Sequence, residues 1–118
     1  MKKTVAIVDD EKNVLLVEKA LLKSNGYEVL PLIGSSTTFD TLKEKQPDLV
    51  LMDIVMPEVN GVELTYQLKT DPATKKIKVI AVTGQPILSE KTTKYFDDIV
   101  LKPFRSEKLI EKIKSFIG

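Results

Sequence analysis

The chain has 118 residues, 42% of them hydrophobic and 30% charged, with a formal net charge of +1; this predicts one globular domain over residues 1–118 and gives no reason to expect nucleic-acid or membrane binding. The absence of cysteine and histidine excludes disulfides, thiolate metal sites and imidazole catalysis, and it leaves oxygen ligands, which suit Mg²⁺ or Ca²⁺. The first apolar run is too short for a signal peptide or a membrane span, so the chain is expected to be cytoplasmic.

Short apolar runs alternate with helical patterns along the chain. In chain order we predict a strand over Thr4–Val8, a helix over Glu11–Asn25, a strand over Tyr27–Leu32, a helix from the Ser35-Ser36 turn to about Lys45, a strand over Leu49–Asp53, a helix over Val62–Lys69, a strand over Ile77–Val82, a helix over Ser89–Phe96, a strand over Ile99–Leu101 and a helix from about Ser106 to the C-terminus. The helix from Ser89 has the weakest pattern, because few apolar residues recur in it at helical spacing.

The first helix has a predicted buried face and a clear end signal. The face consists of Val14, Leu15, Val17, Leu21 and Leu22, which recur at helical spacing. The helix is expected to end at Asn25-Gly26, because glycine commonly follows the last helical residue. For the second helix, Ser35 and Ser36 are the predicted N-cap residues.

Five strands that alternate with helices predict an α/β fold, namely a doubly wound parallel sheet with right-handed crossovers and helices on both faces. The uninterrupted apolar run Leu49–Met52 is typical of a strand that is covered on both sides. We expect the flavodoxin-like strand order 2-1-3-4-5. This order puts the first and third strands side by side at the point where such sheets bind ligands.

Polar side chains follow four of the predicted strands: Asp9 and Asp10, Asp53, Thr83, and Lys102. The predicted strand order brings these strand ends to one crevice. Three carboxylates there would repel one another, and a divalent cation and an ammonium group would make the cluster tolerable. Mg²⁺ with a lysine and a hydroxyl donor suits a phosphoryl group in transfer, and Asp53 is the natural nucleophile.

Each of these residues has a simpler explanation when it is taken alone. Asp53 could cap a local turn, and Asp9-Asp10 could begin the first helix, where acids interact well with the helix dipole. Lys102 could be an ordinary surface lysine, and Thr83 could cap its own turn. Their recurrence at the ends of four strands favours a shared site.

The motifs at these strand ends form a family pattern. They are Val8-Asp9-Asp10, Met52-Asp53 followed by Met56-Pro57, Asn60-Gly61, Thr83-Gly84 and Lys102-Pro103-Phe104. Together they resemble the receiver domain of bacterial two-component response regulators, of the single-domain type that resembles chemotaxis regulators, with a divergent region around the fourth predicted helix. The resemblance covers essentially the whole chain.

The resemblance implies that Asp53 accepts a phosphoryl group from a phosphohistidine on a sensor histidine kinase or a phosphotransfer protein. It implies that Lys102 pairs with the phosphoryl group and that Thr83 moves to hydrogen-bond it. The Lys102–Pro103 peptide bond is often cis in this family. The chain is then not an enzyme in the usual sense, since it catalyses only its own phosphorylation and dephosphorylation.

The resemblance also implies a Mg²⁺ cofactor. Asp10, Asp53 and the backbone carbonyl of Val55 would bind the ion directly, and Asp9 would act through water. No nucleic acid or membrane is expected as a partner. The downstream protein target is not named by the sequence.

The segment before the lysine departs from the family pattern. The residue three before the lysine is commonly an aromatic that moves together with the threonine, whereas this chain has Ile99, which is stiff at its first torsion and has no hydroxyl. Tyr95-Phe96 replaces the usual Gly-Ala pair, and the region of the predicted helix Ser89–Phe96 looks a few residues shorter than usual. Tyr95 is predicted to be a core or surface plug in preference to a switch aromatic.

Two functions from different classes follow. In the first, the chain is a phosphoacceptor in a phosphorelay that signals by docking to a partner or by passing the phosphoryl group on. In the alternative, it is a receiver-fold interaction module that acts largely independently of phosphorylation. Two remoter functions fit less well. A magnesium-dependent aspartyl phosphatase would have an acid at the position of Val55. A flavin-binding domain would have a loop rich in Ser, Thr and Gly after the first strand.

Overall fold

The computed structural model describes residues 2–84 and 93–118, and strands alternate with helices within these ranges as predicted. In chain order the elements are β1 (Thr4–Asp9), α1 (Lys12–Ser24), β2 (Glu28–Ile33), α2 (Thr38–Lys45), β3 (Leu49–Asp53), α3 (Gly61–Thr70), β4 (Lys78–Thr83), β5 (Asp98–Leu101) and α4 (Ser106–Ile117). The first half of the helix predicted over Ser89–Phe96, residues 89–92, lies outside the described residues.

The strands form one parallel sheet in the order β2-β1-β3-β4-β5, which confirms the predicted topology. In the registers, Val8 pairs with Met52, Asp53 pairs with Val82, and Thr83 pairs with Leu101. The carboxyl ends of β1, β3, β4 and β5 are therefore level with one another. In the sheet, β2 lies on one side of β1, and β3 lies on the other. The connections between strands therefore reverse direction between β1 and β3, and this position is the topological switch point of the sheet.

The sheet has a hydrophobic core on each face. One core packs alternate strand residues against α1 and α4; its members include Val5, Ile7, Leu49, Leu51, Ile80, Leu15, Leu22, Leu109 and Ile113. The other packs the intervening residues against α2 and α3; its members include Ala6, Val8, Val50, Met52, Val79, Leu42, Leu64 and Leu68. Because successive strand residues point to opposite faces, every apolar residue of β1 and β3 is buried, and this explains their uninterrupted apolar runs.

The predicted buried face of α1 is wrong at one position. Leu15 and Leu22 are buried, but Val17 is 70% exposed, and Glu18 lies in the buried stripe with only 4% exposure. Residues 15, 18 and 22 share one side of a helix because they are three and four positions apart, whereas Val17 is rotated by about 100° from Glu18. A prediction from hydrophobicity alone therefore placed Val17 in the core, whereas the structure has its neighbour Glu18 there.

The predicted N-cap of α2 is also wrong. The helix is preceded by Thr37, whose side chain makes no capping hydrogen bond, and the backbone N–H of Ser35 donates to Thr38 Oγ1 at 2.9 Å. The serines thus belong to the turn before the helix.

Among the described residues, no helix has the length and apolar character needed to cross a bilayer.

Candidate functional site

Four strands deliver polar side chains to one edge of the sheet. Asp9, Asp53 and Thr83 are the last residues of β1, β3 and β4, and Lys102 directly follows β5. The backbone N–H of Lys102 donates to the Thr83 carbonyl at 2.7 Å, which continues the β4–β5 pairing one residue beyond the strand. The side chains that the sequence singled out are thus brought together, and the Lys102–Pro103 peptide bond is cis as predicted.

Asp9, Asp10 and Asp53 form a cluster of acids. Each offers a carboxylate oxygen, and these oxygens lie within 4.8 Å of one another. Asp9 is buried, while Asp10 and Asp53 are half-buried. Such a set of hard oxygen ligands matches the preference of Mg²⁺, which keeps several waters besides one or two carboxylates.

Backbone N–H groups orient two of these carboxylates. The N–H of Glu11 donates to Asp9 Oδ1 at 3.0 Å, and the N–H of Val55 donates to Asp53 Oδ1 at 3.3 Å. Burial and the charge of Asp9 raise the pKa of Asp53 to about 6, although Lys102 and the Val55 N–H act in the opposite direction. Among the described residues, the three carboxylates of the site therefore carry more charge than the Lys102 ammonium neutralises.

Lys102 contributes that ammonium. Its Nζ lies 3.4 Å from Asp9 Oδ2 and is half-buried. Burial by itself would lower the pKa of Lys102, but the nearby carboxylates of Asp9 and Asp53 outweigh it and raise that pKa. The lysine thus stays charged at neutral pH. Charge-assisted contacts of this kind are usually about 2.7–2.9 Å, so Asp9 holds the ammonium loosely.

The loop after β3 explains the Asn60-Gly61 motif, to which sequence reasoning gave no structural role. Asn60 Oδ1 accepts hydrogen bonds from Val62 N and Glu63 N at 2.9 and 3.3 Å and so caps α3. The N–H of Gly61 donates to the Ile54 carbonyl at 3.1 Å, and a Cβ at Gly61 would collide with the Asp53 carbonyl oxygen. The exposed Val55 pairs with Asn60 across this loop, which fixes the backbone beside Asp53.

The sequence also singled out Thr83, Ile99 and Tyr95. Thr83 is 2% exposed at the end of β4. Ile99 packs against the core on the α2–α3 face, and the half-buried Tyr95 meets Tyr66 of α3 edge-on with 5.0 Å between ring centroids. Tyr95 therefore packs on α3, in keeping with the plug predicted for it.

Glu18 is a candidate that sequence reasoning missed. Its carboxyl lines the same groove as Lys102, and burial raises its pKa to about 7, partly offset by the charge of Lys102. The available signal was its spacing: Glu18 lies three residues after Leu15 and four before Leu22, on the stripe that meets the sheet.

Comparison with known proteins gives a family and a fold. Residues 5–114 match the family of response regulator receiver domains. The whole chain is 35% identical to the polar-differentiation response regulator DivK of Brucella anthropi, 98% of which is covered.

Two solved structures resemble this fold over nearly their whole length. A CheY-like receiver domain from Methylobacillus flagellatus has a TM-score of 0.89 at 24% identity, over 98% of this chain and 99% of that one. The receiver domain of a sensor histidine kinase from Pseudomonas aeruginosa PAO1, described with a magnesium ion coordinated in its active-site cleft, has a TM-score of 0.90 at 21% identity, over 100% and 99% of the two chains. At these identities the likeness concerns the fold alone.

Proposed function

The chain belongs to the family of response regulator receiver domains, and on that premise we propose that Asp53 is its phosphoacceptor. Receiver domains are phosphoacceptor modules of two-component signalling and not conventional enzymes; they interact with histidine kinases or phosphotransfer proteins and with downstream targets. The observation that carries the proposal is the gathering of Asp9, Asp10 and Lys102 around Asp53 at the switch point of the sheet. Residues 1–118 act as one receiver unit in this proposal.

The acid cluster fits a divalent cation. Its three carboxylates crowd together, and their mutual repulsion contributes to the raised pKa of Asp53. In our proposal the carboxylates of Asp10 and Asp53 and the carbonyl of Val55 hold Mg²⁺ directly, while Asp9, already paired with Lys102, acts through water. Bound Mg²⁺ would offset the charge of the carboxylates and draw negative charge from the phosphoryl oxygens.

Phosphoryl transfer in this proposal relies on the chain's own side chains. A carboxylate oxygen of Asp53 attacks phosphorus, and the new O–P bond replaces the N–P bond of the donor phosphohistidine, whose nitrogen keeps the electron pair. The Lys102 ammonium pairs with a phosphoryl oxygen, and the Thr83 hydroxyl donates a hydrogen bond to another. With a pKa of about 6, Asp53 is mostly ionised and nucleophilic at neutral pH.

Phosphorylation by a small donor tests the assignment of Asp53. Incubation with Mg²⁺ and acetyl phosphate is expected to add one phosphoryl group to the wild type, as measured by intact-protein mass spectrometry, and none to Asp53→Asn. Asp40→Asn is the matched control, because Asp40 is an exposed aspartate on α2, and it should be labelled like the wild type. Labelling of Asp53→Asn to the wild-type level would refute the assignment.

Magnesium titration tests the metal ligands separately. Asp10→Asn is expected to weaken Mg²⁺ binding at least about tenfold in isothermal titration calorimetry, because it removes a charged oxygen ligand. Asp40→Asn again serves as the control and should bind the ion with unchanged affinity. Equal affinities in all three proteins would show that Asp10 is not a ligand.

One observation favours a second candidate function, the phosphorylation-independent interaction module. Ile99 occupies the family's aromatic position and is packed against the core, so this chain has no aromatic ring at the position that moves together with the threonine in the family. Failure of the wild type to take up a phosphoryl group from several donors would support this second function. Uptake that is lost in Asp53→Asn supports the relay.

A further inference from the structure

Glu18 is a buried acid in an otherwise apolar setting. It is the single acidic residue of α1, it is 4% exposed, and it lies between the buried Leu15 and Leu22 on the stripe that faces the sheet. Burying a carboxyl among apolar side chains opposes folding unless another group interacts with it. The position of Glu18 therefore invites a functional explanation.

Glu18 shares a groove with the site lysine, Lys102. Glu18 and Lys102 line one groove of about 610 Å³ between α1 and the turn after β5, whose other walls include Val14, Val17, Pro103 and Phe104. Because Glu18 is buried, water screens the attraction between its carboxylate and the ammonium less than it would on an open surface. Glu18 is accordingly one of the acids that keep Lys102 charged, after Asp9 and Asp53.

Lys102 thus has several anionic neighbours, and its contact with one of them, Asp9, is weak. Its contact with Asp9 measures 3.4 Å, which is long for a charge-assisted hydrogen bond. Because the lysine side chain is flexible and its ammonium has three donors, it can turn toward Asp53 or toward Glu18. To pair with a phosphoryl group on Asp53, its ammonium has to give up part of its attraction to Asp9 and Glu18.

We propose that Glu18 is a positioning residue for Lys102: its carboxylate attracts the ammonium toward the groove and so slows the pairing of Lys102 with a phosphoryl group on Asp53. The inference rests on the proposed phosphoacceptor function and adds a residue that regulates its rate. Removing the charge frees Lys102 for the phosphoryl side. Phosphorylation then becomes faster, whereas a purely structural acid would leave it unchanged or slower.

Rate measurements with acetyl phosphate test this role. At about pH 8 and saturating Mg²⁺, Glu18→Gln is expected to speed phosphoryl incorporation about three- to tenfold, and Glu18→Leu is expected to do the same, since both lack the charge. Glu44→Gln is the matched control, because it removes one carboxylate from an exposed position on α2. Circular dichroism checks that each variant is folded.

A second comparison isolates the lysine. In a Lys102→Met background, Glu18→Gln is expected to have no effect on the rate, because the ammonium that it releases is gone. An equal acceleration with and without Lys102 would overturn the positioning role, since Glu18 would then act directly on Asp53.

The outcomes also separate this inference from the proposed function. If the wild type is phosphorylated and Glu18→Gln behaves like Glu44→Gln, the role of Glu18 is overturned and Asp53 remains the acceptor. If the wild type takes up no phosphoryl group under any of these conditions, both proposals are overturned.

Discussion

Glu18 is a carboxyl group that folding removes from water. Burial, partly offset by Lys102, raises its pKa from 4.5 to about 7. A carboxyl with a higher pKa in the folded state binds its proton more tightly there, so the free energy of unfolding falls as the pH rises between the two pKa values. The destabilisation is therefore absent below about pH 4.5 and complete above about pH 7.

Glu18→Gln is expected to stabilise the protein at neutral pH, because the amide keeps the shape of the protonated acid without its charge. The gain in unfolding free energy should be near zero at about pH 4.5 and on the order of 3 kcal/mol above about pH 7. Urea unfolding at a series of pH values measures it, with the exposed Glu44→Gln as a control that shows no such trend. A gain that does not change with pH would contradict the assigned pKa.

The β3–α3 loop is the element that holds Asp53 in place. Asn60 caps α3, and Gly61 lets the start of the helix lie directly against the carbonyl of Asp53. Only glycine permits this approach, since any Cβ would push on backbone and not on a side chain that could move aside. The motif thus couples the first turn of α3 to the proposed acceptor.

Gly61→Ala is expected to lower the free energy of unfolding by about 2 kcal/mol or more, because the methyl group forces the loop away from Asp53. Gly84→Ala is the control: a Cβ there meets no heavy atom of the described residues within 4 Å, and its effect should stay within about 0.5 kcal/mol. Urea unfolding of the two variants makes the comparison. A stable Gly61→Ala protein would show that the loop relaxes at little cost.

The whole fold is needed to assemble the site. Lys102 and Asp9 meet although 93 positions separate them in the chain, and the acid cluster joins the ends of β1 and β3 on either side of the switch point. An unfolded chain has no such cluster. Ligands of this site therefore bind only the folded state and stabilise the molecule by mass action.

Mg²⁺ together with beryllofluoride, a mimic of the phosphoryl group, is expected to raise the melting temperature of the wild type. At a hundredfold excess over the dissociation constant the gain is about 2.7 kcal/mol, or roughly 10 °C for a domain of this size. Asp53→Asn should show no such shift with beryllofluoride, whereas the control Asp40→Asn should shift like the wild type. Scanning calorimetry measures all three. A full shift in Asp53→Asn would mean that the anion binds elsewhere.

Most of the fold, and the residues proposed for the site, could be predicted from local patterns. Uninterrupted apolar runs and helical spacing located the described strands and helices to within about one residue, except at the start of α2, because both signals depend on neighbours in the chain. The alternation of strands and helices then permits few sheet orders, and the observed order is the predicted one. Asp9, Asp10, Asp53, Thr83 and Lys102 could be named for the same reason, as each stands at or directly after a strand end.

Contacts between distant segments could not be read in this way. Whether Val17 or Glu18 faces the sheet depends on how α1 is rotated over it, and the hydrophobicity of the two residues points to the wrong one. Lys69 pairs with Asp97 at 2.7 Å across 28 positions, a contact between the last turn of α3 and the residue before β5 that only the folded chain brings together. The charge around Asp53, and with it the groove that joins Glu18 to Lys102, likewise arises from packing, because burial and the distance between charges are properties of the folded chain.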